Sequence, residues 1–346
     1  MATADVTVLG AGAFGLSVAY CCAKAGAKVR VIDPNGVAAG ASGGIVGALA
    51  PHVPENWNAK KAFQFDSLIM AELFWSEVEQ IGGQSAGYLR SGRLQPINDE
   101  RTLDLAHRRH ATAQDLWQGR AEWSVVPADR HAGWSPQSAT GYLIHDTLTA
   151  RIHPRQATHA LATAITALGG NIVTQGPMEG AVVHATGWQG LLALTQELNK
   201  PVGNGVKGQA AVLRFDAASQ PQLFADALHI VPHADGTVAI GSTSEREFDA
   251  PDTTDHQLDD VLQRAYQAFP MLIGAEVVER WAGVRPRAKS RAPMLGAYPG
   301  KSGVFIANGG FKIGFGMAPK VGQVMADLIL NGHDDIPDDF RVEASL

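Results

Sequence analysis

The chain opens on a short apolar run, Val6 to Leu9, that gives way to three closely spaced glycines and then to a longer apolar stretch from Phe14 to Ala25. A run of four bounded by a turn signal reads as a buried strand, and the longer stretch as a helix. Val29 to Ile32 is a second strand-like run, ending in Asp33. Residues 34 to 54 are rich in small apolar residues and carry no Asp, Glu, Lys or Arg. The glycines and prolines scattered through them predict a loop rather than a membrane span.

Beyond the loop, Ala71, Phe74, Trp75 and Val78 have the i, i+3, i+4, i+7 spacing of a helix, which Gly82-Gly83 stops. Tyr88 to Gln95 reads as a strand. Leu103, Ala106, His110, Ala113 and Trp117 mark another helix, and Gly141 to His145 a short strand. The segment "HPRQATHALATAITALGG" (153–170) has Pro at its start and Gly-Gly at its stop, the punctuation of a helix. Asn171 to Thr174 and Ala181 to Ala185 are short apolar strands. From Val206 the pattern changes to closely spaced strands, "VKGQAAVLRF", "LHIVP", "TVAIGS" and "VVERWAGVRP", with "HADG" as a hairpin turn. One helix, near Asp255 to Phe269, interrupts this antiparallel sheet. The end of the chain returns to strand, Gly-rich turn and helix. The whole reads as an α/β protein whose nucleotide-binding unit is visited at least three times: at the start, near 153–200 and at the end.

Composition changes little in this picture. The 346 residues are 45% hydrophobic and 18% charged, enough for two joined domains. A net charge of −6 disfavours nucleic acid and anionic membranes as partners. Cys21 and Cys22 are adjacent on the first helix and serve neither a disulfide framework nor a metal site. The expected compartment is a reducing cytoplasm, because a strand begins too soon for a signal peptide to precede it. The histidines fit no metal-binding spacing, and His107 and His110 in "HRRH" read as solvated.

The chemistry sits first in "VTVLGAGAFGLSVAYCCAKAGAKVRVID" (6–33). Gly10, Gly12 and Gly15 form G-x-G-x-x-G between a strand and a helix, and Asp33 ends the second strand. This is the dinucleotide fingerprint in its required context. The first glycine makes the turn, the second admits a pyrophosphate, and the third lets helix and strand pack closely. Asp33 suits ribose hydroxyls and argues against a 2′-phosphate. The fingerprint alone leaves open whether the ligand is a nicotinamide or a flavin.

Further motifs decide that question by resemblance. With "GAGAFG" and Asp33 stand "GASGGIVGALAP" (40–51), "HPR" (153–155), "AGVRP" (282–286) and "NGGFKIGFGMAP" (308–319). In this order, over nearly the whole chain, they resemble the FAD-dependent amino acid oxidase family of glycine oxidase, D-amino acid oxidase and sarcosine oxidase, with glycine oxidase nearest. The resemblance implies a Rossmann-like FAD-binding domain of the glutathione-reductase type (1–80, 150–205 and 292–346) and an antiparallel-sheet substrate domain (81–149 and 206–291). It implies that Gly10, Ala11, Gly12, Ala13, Phe14 and Gly15 hold the pyrophosphate, and Asp33 the adenosine ribose. Ala41 and Ser42 would touch ribose or phosphate, and Ala48 and Leu49 the isoalloxazine. Thr186 and Gly187 would line the pyrophosphate side, while Gly310, Phe311, Lys312, Ile313 and Gly314 pass under the flavin pyrimidine edge.

The same resemblance makes Arg285 the carboxylate anchor, with His229 and Lys312 as further catalytic candidates. A guanidinium suits a carboxylate because its planar fork meets both oxygens. Arg287, Lys289 and Arg291 read as solvated. Departures from the resemblance are His229 where glycine oxidase has Tyr, Lys312 where it has Arg, the small Ser244, and a shortened "TQGPMEG" excursion near the adenine. The implied activity is oxidation of a small amino acid: glycine-like, N-substituted or D-configured. Oxygen or a quinone would accept the electrons, and homo-oligomerisation stays open. A tRNA carboxymethylaminomethyl-uridine-type oxidase, a 2-hydroxy acid oxidase and a non-enzymatic flavin scaffold are the alternatives.

Overall fold

A computed structural model describes residues 3–346; Met1 and Ala2, counted in the expected first segment, lie outside the described residues. Val6–Leu9 pairs in parallel with Val29–Ile32 on one side and with Ala181–His184 on the other. Helix α1, Ala13–Lys24, is the crossover that a parallel pair requires. Asn171–Val173 extends the sheet beyond Val29–Ile32, and Val304–Asn308 joins beyond Ala181–His184. Met294–Ala297 closes it as an antiparallel edge, making six strands drawn from three regions of the chain.

Helix α2 spans Ala59–Gly82. Its N-cap Asn58 accepts a hydrogen bond from the Lys61 amide, and its C-cap Gly83 takes the left-handed conformation at φ 69°. Asp99 caps α3, Glu100–Leu116, in the same way. Helix α4, Pro154–Ala167, starts with Pro in its first turn, where the missing N–H costs nothing. Helix α5, Gly187–Glu197, was not anticipated; it begins two residues beyond the strand expected at Ala181 to Ala185, with Thr186 as its N-cap. Helices α6, His256–Ala268, and α7, Gly314–Asn331, agree with the pattern. Helices α1, α2, α4 and α7 bury their apolar faces in one core with the six-stranded sheet.

The second sheet has eight strands, in spatial order Val277–Ala288, Gly203–Arg214, Thr237–Gly241, Leu228–Pro232, Gln222–Ala225, Arg93–Ile97, Tyr142–Asp146 and Trp123–Pro127. It is antiparallel except where Gln222 and Leu223 run parallel to Arg93 and Leu94. The 88–95 strand expectation is displaced to 93–97. Gly92 adopts φ 78°, and the segment before it pairs only at Leu89 with Arg151. The strand at 123–127 was also missed, as was that at 222–225. The loop 34–54 contains a two-residue strand, Ala48–Leu49, paired with Ala150–Arg151. Among the described residues no helix is long and apolar enough to cross a membrane.

Candidate active site

A cavity of about 600 Å³ takes its lining from both large sheets, a size within the range of small-molecule sites. Gly10, Ala11, Gly12, Ala13, Phe14, Asp33, Ala41, Ser42, Ala48, Leu49, Thr186, Gly187, Arg285, Gly310, Phe311, Lys312, Ile313 and Gly314 all line it. Gly15 and His229 do not.

The nucleotide turn is built by close backbone approach. A Cβ on Gly10 would fall 2.3 Å from the Ala185 carbonyl oxygen, at φ 109°. A Cβ on Gly15 would fall 2.1 Å from the Gly10 oxygen, so this glycine packs helix on strand instead of facing the cavity. Asp33 accepts the Ala11 amide on Oδ2 at 2.8 Å, and the Asn35 amide on Oδ1 at 3.0 Å. That fixes its carboxylate beside the turn. Ser42 Oγ accepts the Ala13 amide at 2.9 Å, joining the Gly-rich loop to the first turn of α1. Asn308 donates to the Gly187 oxygen at 2.9 Å and locks the start of α5 to the end of strand Val304–Asn308. The Gly12 cap provides no capping side chain, so apart from the Ala13 amide held by Ser42 the start of α1 offers its amides and dipole to an anion. A glycine cradle, a carboxylate held beside it and a cavity lined from both large sheets together fit a flavin dinucleotide.

Arg285 enters from the strand Val277–Ala288. Its Nη2 donates to Ser242 Oγ at 2.5 Å and its Nη1 to the Thr243 oxygen at 3.3 Å. Burial lowers its pKa to about 10, opposed by the Glu245 carboxylate, so it stays charged at neutral pH. Glu245 is itself buried, 3.6 Å from Lys207 Nζ and accepting from Gln209 at 3.1 Å and from the Thr243 hydroxyl. A buried charge needs such partners to persist.

Lys312 lies in the turn before α7. Phe311, at φ 43°, donates its amide to the Pro286 oxygen at 3.0 Å, pinning this turn to the residue after Arg285. Burial first, and then Arg285, lower the Lys312 pKa.

His229 pairs across the sheet with Gly241 and packs on Phe224 at 4.7 Å between ring centroids. Its Nδ1 is buried without a partner, and burial with the charges of Arg93, Lys312 and Arg285 lowers it to about 3. It is therefore a neutral, half-buried ring under the charges of two lining residues, Arg285 and Lys312. Ser244 is exposed, and the serine that reaches Arg285 is Ser242. Arg287 lies over the Phe311 ring at 5.8 Å, Lys289 donates to the Leu346 oxygen, and Arg291 is exposed.

Several lining residues escaped the sequence reading. Trp281 was legible in principle, since it shares a strand face with Arg285 at the even spacing of side chains. Ser242 was not, because pairing across strands brings it there. His233, 1% exposed, donates from Nε2 to the Ile45 oxygen at 2.9 Å and steadies the lining loop 44–47. A carbonyl can only accept, so the proton sits on Nε2.

The model of a family described as FAD dependent oxidoreductase matches residues 5–328. Glycine oxidase of Pseudomonas putida is 27% identical, covering 96% of this chain and 96% of the relative. Glycine oxidase of Bacillus licheniformis is 26% identical, covering 94% and 93%. The crystal structure of glycine oxidase from Bacillus cereus superposes with a TM-score of 0.83 at 22% identity, over 96% of each chain.

Proposed function

From the premise that the chain belongs to the family of FAD-dependent oxidoreductases, we propose that it oxidises a small amino acid at its α-carbon. Glycine, an N-substituted glycine or a D-amino acid is the class of substrate. The observation that carries this reading is Arg285, a half-buried guanidinium lining the same cavity as the dinucleotide turn and Asp33. The glycine oxidases similar over nearly the full length supply the reaction class.

When bound, FAD supplies two-electron oxidation by accepting hydride from the substrate α-carbon. Gly10 to Gly15 and the start of α1 would hold its pyrophosphate, Asp33 its ribose, Ala48 and Leu49 its ring system, and Gly310 to Gly314 the pyrimidine edge. Arg285 would clamp the substrate carboxylate through its planar fork, with Ser242 and Thr243 fixing the guanidinium's direction. Trp281 and the loop 44–47 line the same cavity. Hydride transfer needs the α-hydrogen about 3–3.5 Å from its acceptor, so orientation is the main task of these side chains. The resulting imine hydrolyses to a 2-oxo acid and ammonia or an amine. No protein base is obligatory, in keeping with the neutral, half-buried His229.

In this reading, residues 1–80, 150–205 and 292–346 form the FAD-binding unit, and 81–149 and 206–291 the substrate unit. The strand Gly203–Arg214 runs across one of those boundaries. The electron acceptor is oxygen or a quinone, and the compartment is the cytoplasm. The test is anaerobic mixing of the purified holoenzyme with amino acids and 2-hydroxy acids while flavin absorbance is followed. Bleaching by amino acids is expected. Bleaching only by 2-hydroxy acids would replace this reading with that of a hydroxy acid oxidase, which shares the carboxylate anchor.

A further inference from the structure

Three charged side chains line the cavity among the described residues: Asp33, Arg285 and Lys312. Asp33 is committed to the amides of Ala11 and Asn35. Arg285 is oriented by Ser242 and Thr243, and Glu245 lies behind it as a partial counter-charge. Lys312 has no hydrogen-bond or ion-pair partner among the described residues; its Nζ stands 5.7 Å from the centroid of the Phe311 ring. The Phe311–Pro286 hydrogen bond holds its turn against the Arg285 strand. The charge that acts on Lys312 is Arg285, another cation.

Two cations thus line one cavity, and a carboxylate acts on only one of them. A monocarboxylate substrate fills the Arg285 fork and leaves Lys312 without a counter-charge from either the protein or the substrate. The reacting amine is neutral and supplies none. A substrate with a second carboxylate completes the charge balance, because an ammonium is a flexible point charge suited to a single oxygen.

We propose that the substrate is an amine bearing two carboxylates, either a 2-aminodicarboxylate or an N-(carboxyalkyl) amino acid. The carboxylate next to the oxidised carbon sits on Arg285 and the second on Lys312. This rests on the amine-oxidising reading of the site. In the reaction the α C–H bond breaks and its electron pair leaves with the hydrogen to FAD. The amine N–H proton is lost to solvent as C=N forms. Water then adds to the imine, releasing a 2-oxo acid and ammonia or the second amine.

The test compares matched pairs on the holoenzyme: D-aspartate against D-alanine, and iminodiacetate against sarcosine, each by the anaerobic rate of flavin bleaching over apparent dissociation constant. One charge-assisted contact predicts a dicarboxylate advantage of about 10- to 100-fold. Lys312→Met should shrink that ratio toward one, and Lys312→Arg should keep it. Calorimetric titration gives a readout independent of turnover: malonate or succinate should bind wild type about 10-fold tighter than acetate, and Lys312→Met should remove the difference. Bleaching by the monocarboxylates with no dicarboxylate advantage overturns this proposal alone. So does an equal loss of both series in Lys312→Met, which would assign the lysine to the reduced cofactor. Bleaching by neither series overturns the amine-oxidase reading and this proposal with it.

Discussion

Gly208 stands where it leaves room for Arg285: a Cβ built on Gly208 would fall 2.0 Å from Nη2 of that arginine. The two residues lie on neighbouring strands, Gly208 opposite Gly283 and Arg285 two positions further along. The atoms in the way are the movable end of a side chain, so a methyl group would redirect the guanidinium rather than break the sheet. Gly208→Ala should fold with a near-wild-type melting temperature and bind carboxylate ligands about 10- to 100-fold more weakly, the cost of one charge-assisted contact. Calorimetric titration with acetate, alongside a thermal melt, checks both halves. Unchanged acetate binding would show that the guanidinium is not the anchor.

Arg285→Lys keeps the charge and loses the two-pronged contact. Mis-aiming the α-hydrogen and losing that contact should together cost about 2–5 kcal/mol of transition-state stabilisation, with FAD content unchanged. Decarboxylated amines should lose their disadvantage relative to amino acids. Flavin reduction rates against substrate concentration decide it, and an unaltered rate and affinity would shift the anchor to Lys312.

Asp33→Ala should release FAD without unfolding the chain. Each charge-assisted hydrogen bond to a ribose hydroxyl is worth about 1.5–3 kcal/mol, so the FAD dissociation constant should rise by one order of magnitude or more. Acid precipitation of the wild type should leave all the yellow colour in the supernatant, because Cys21 and Cys22 lie within α1. A mutant retaining full FAD, or colour in the pellet, would contradict these two expectations respectively.

His233 gives the fold a pH dependence. Burial and the neighbouring His153, 4.7 Å away between ring centroids, lower it to about 4. Asp235 pulls its pKa up and Arg151 pushes it down. An unfolded histidine binds its proton near pH 6.5, while the folded one waits until about 4. The unfolded state therefore holds more protons in that window, and stability falls as pH drops through it. His233→Gln can keep a donor near the Ile45 oxygen without titrating. Its melting temperature should decline less than that of the wild type between pH 6.5 and 4; parallel declines would rule out His233 as the source.

The nucleotide end of the site was legible in the sequence because its requirements are local. Gly10, Gly12 and Gly15 lie within one turn of chain, and their reasons for being glycine show in the spacing. Asp33 follows at the end of the next strand, and strand–helix–strand periodicity places all four without reference to distant residues. Arg285 and Lys312 were legible only through resemblance, since a guanidinium or an ammonium has no periodicity of its own.

Tertiary structure decided the rest. Strand pairing set Ser242 beside Arg285 and emptied the space above Gly208. It also drew His233 from one sheet under the loop of the other. It made His229, which the resemblance had offered as a catalytic candidate, a neutral, half-buried ring under the charges of Arg285 and Lys312. The two-residue strand Ala48–Leu49 exists only because Ala150–Arg151 passes beside it. A local pattern records which backbone conformation a segment prefers. Which side chains converge on a cavity depends on register between strands far apart in the chain, and a one-residue change of register turns every side chain to the other face.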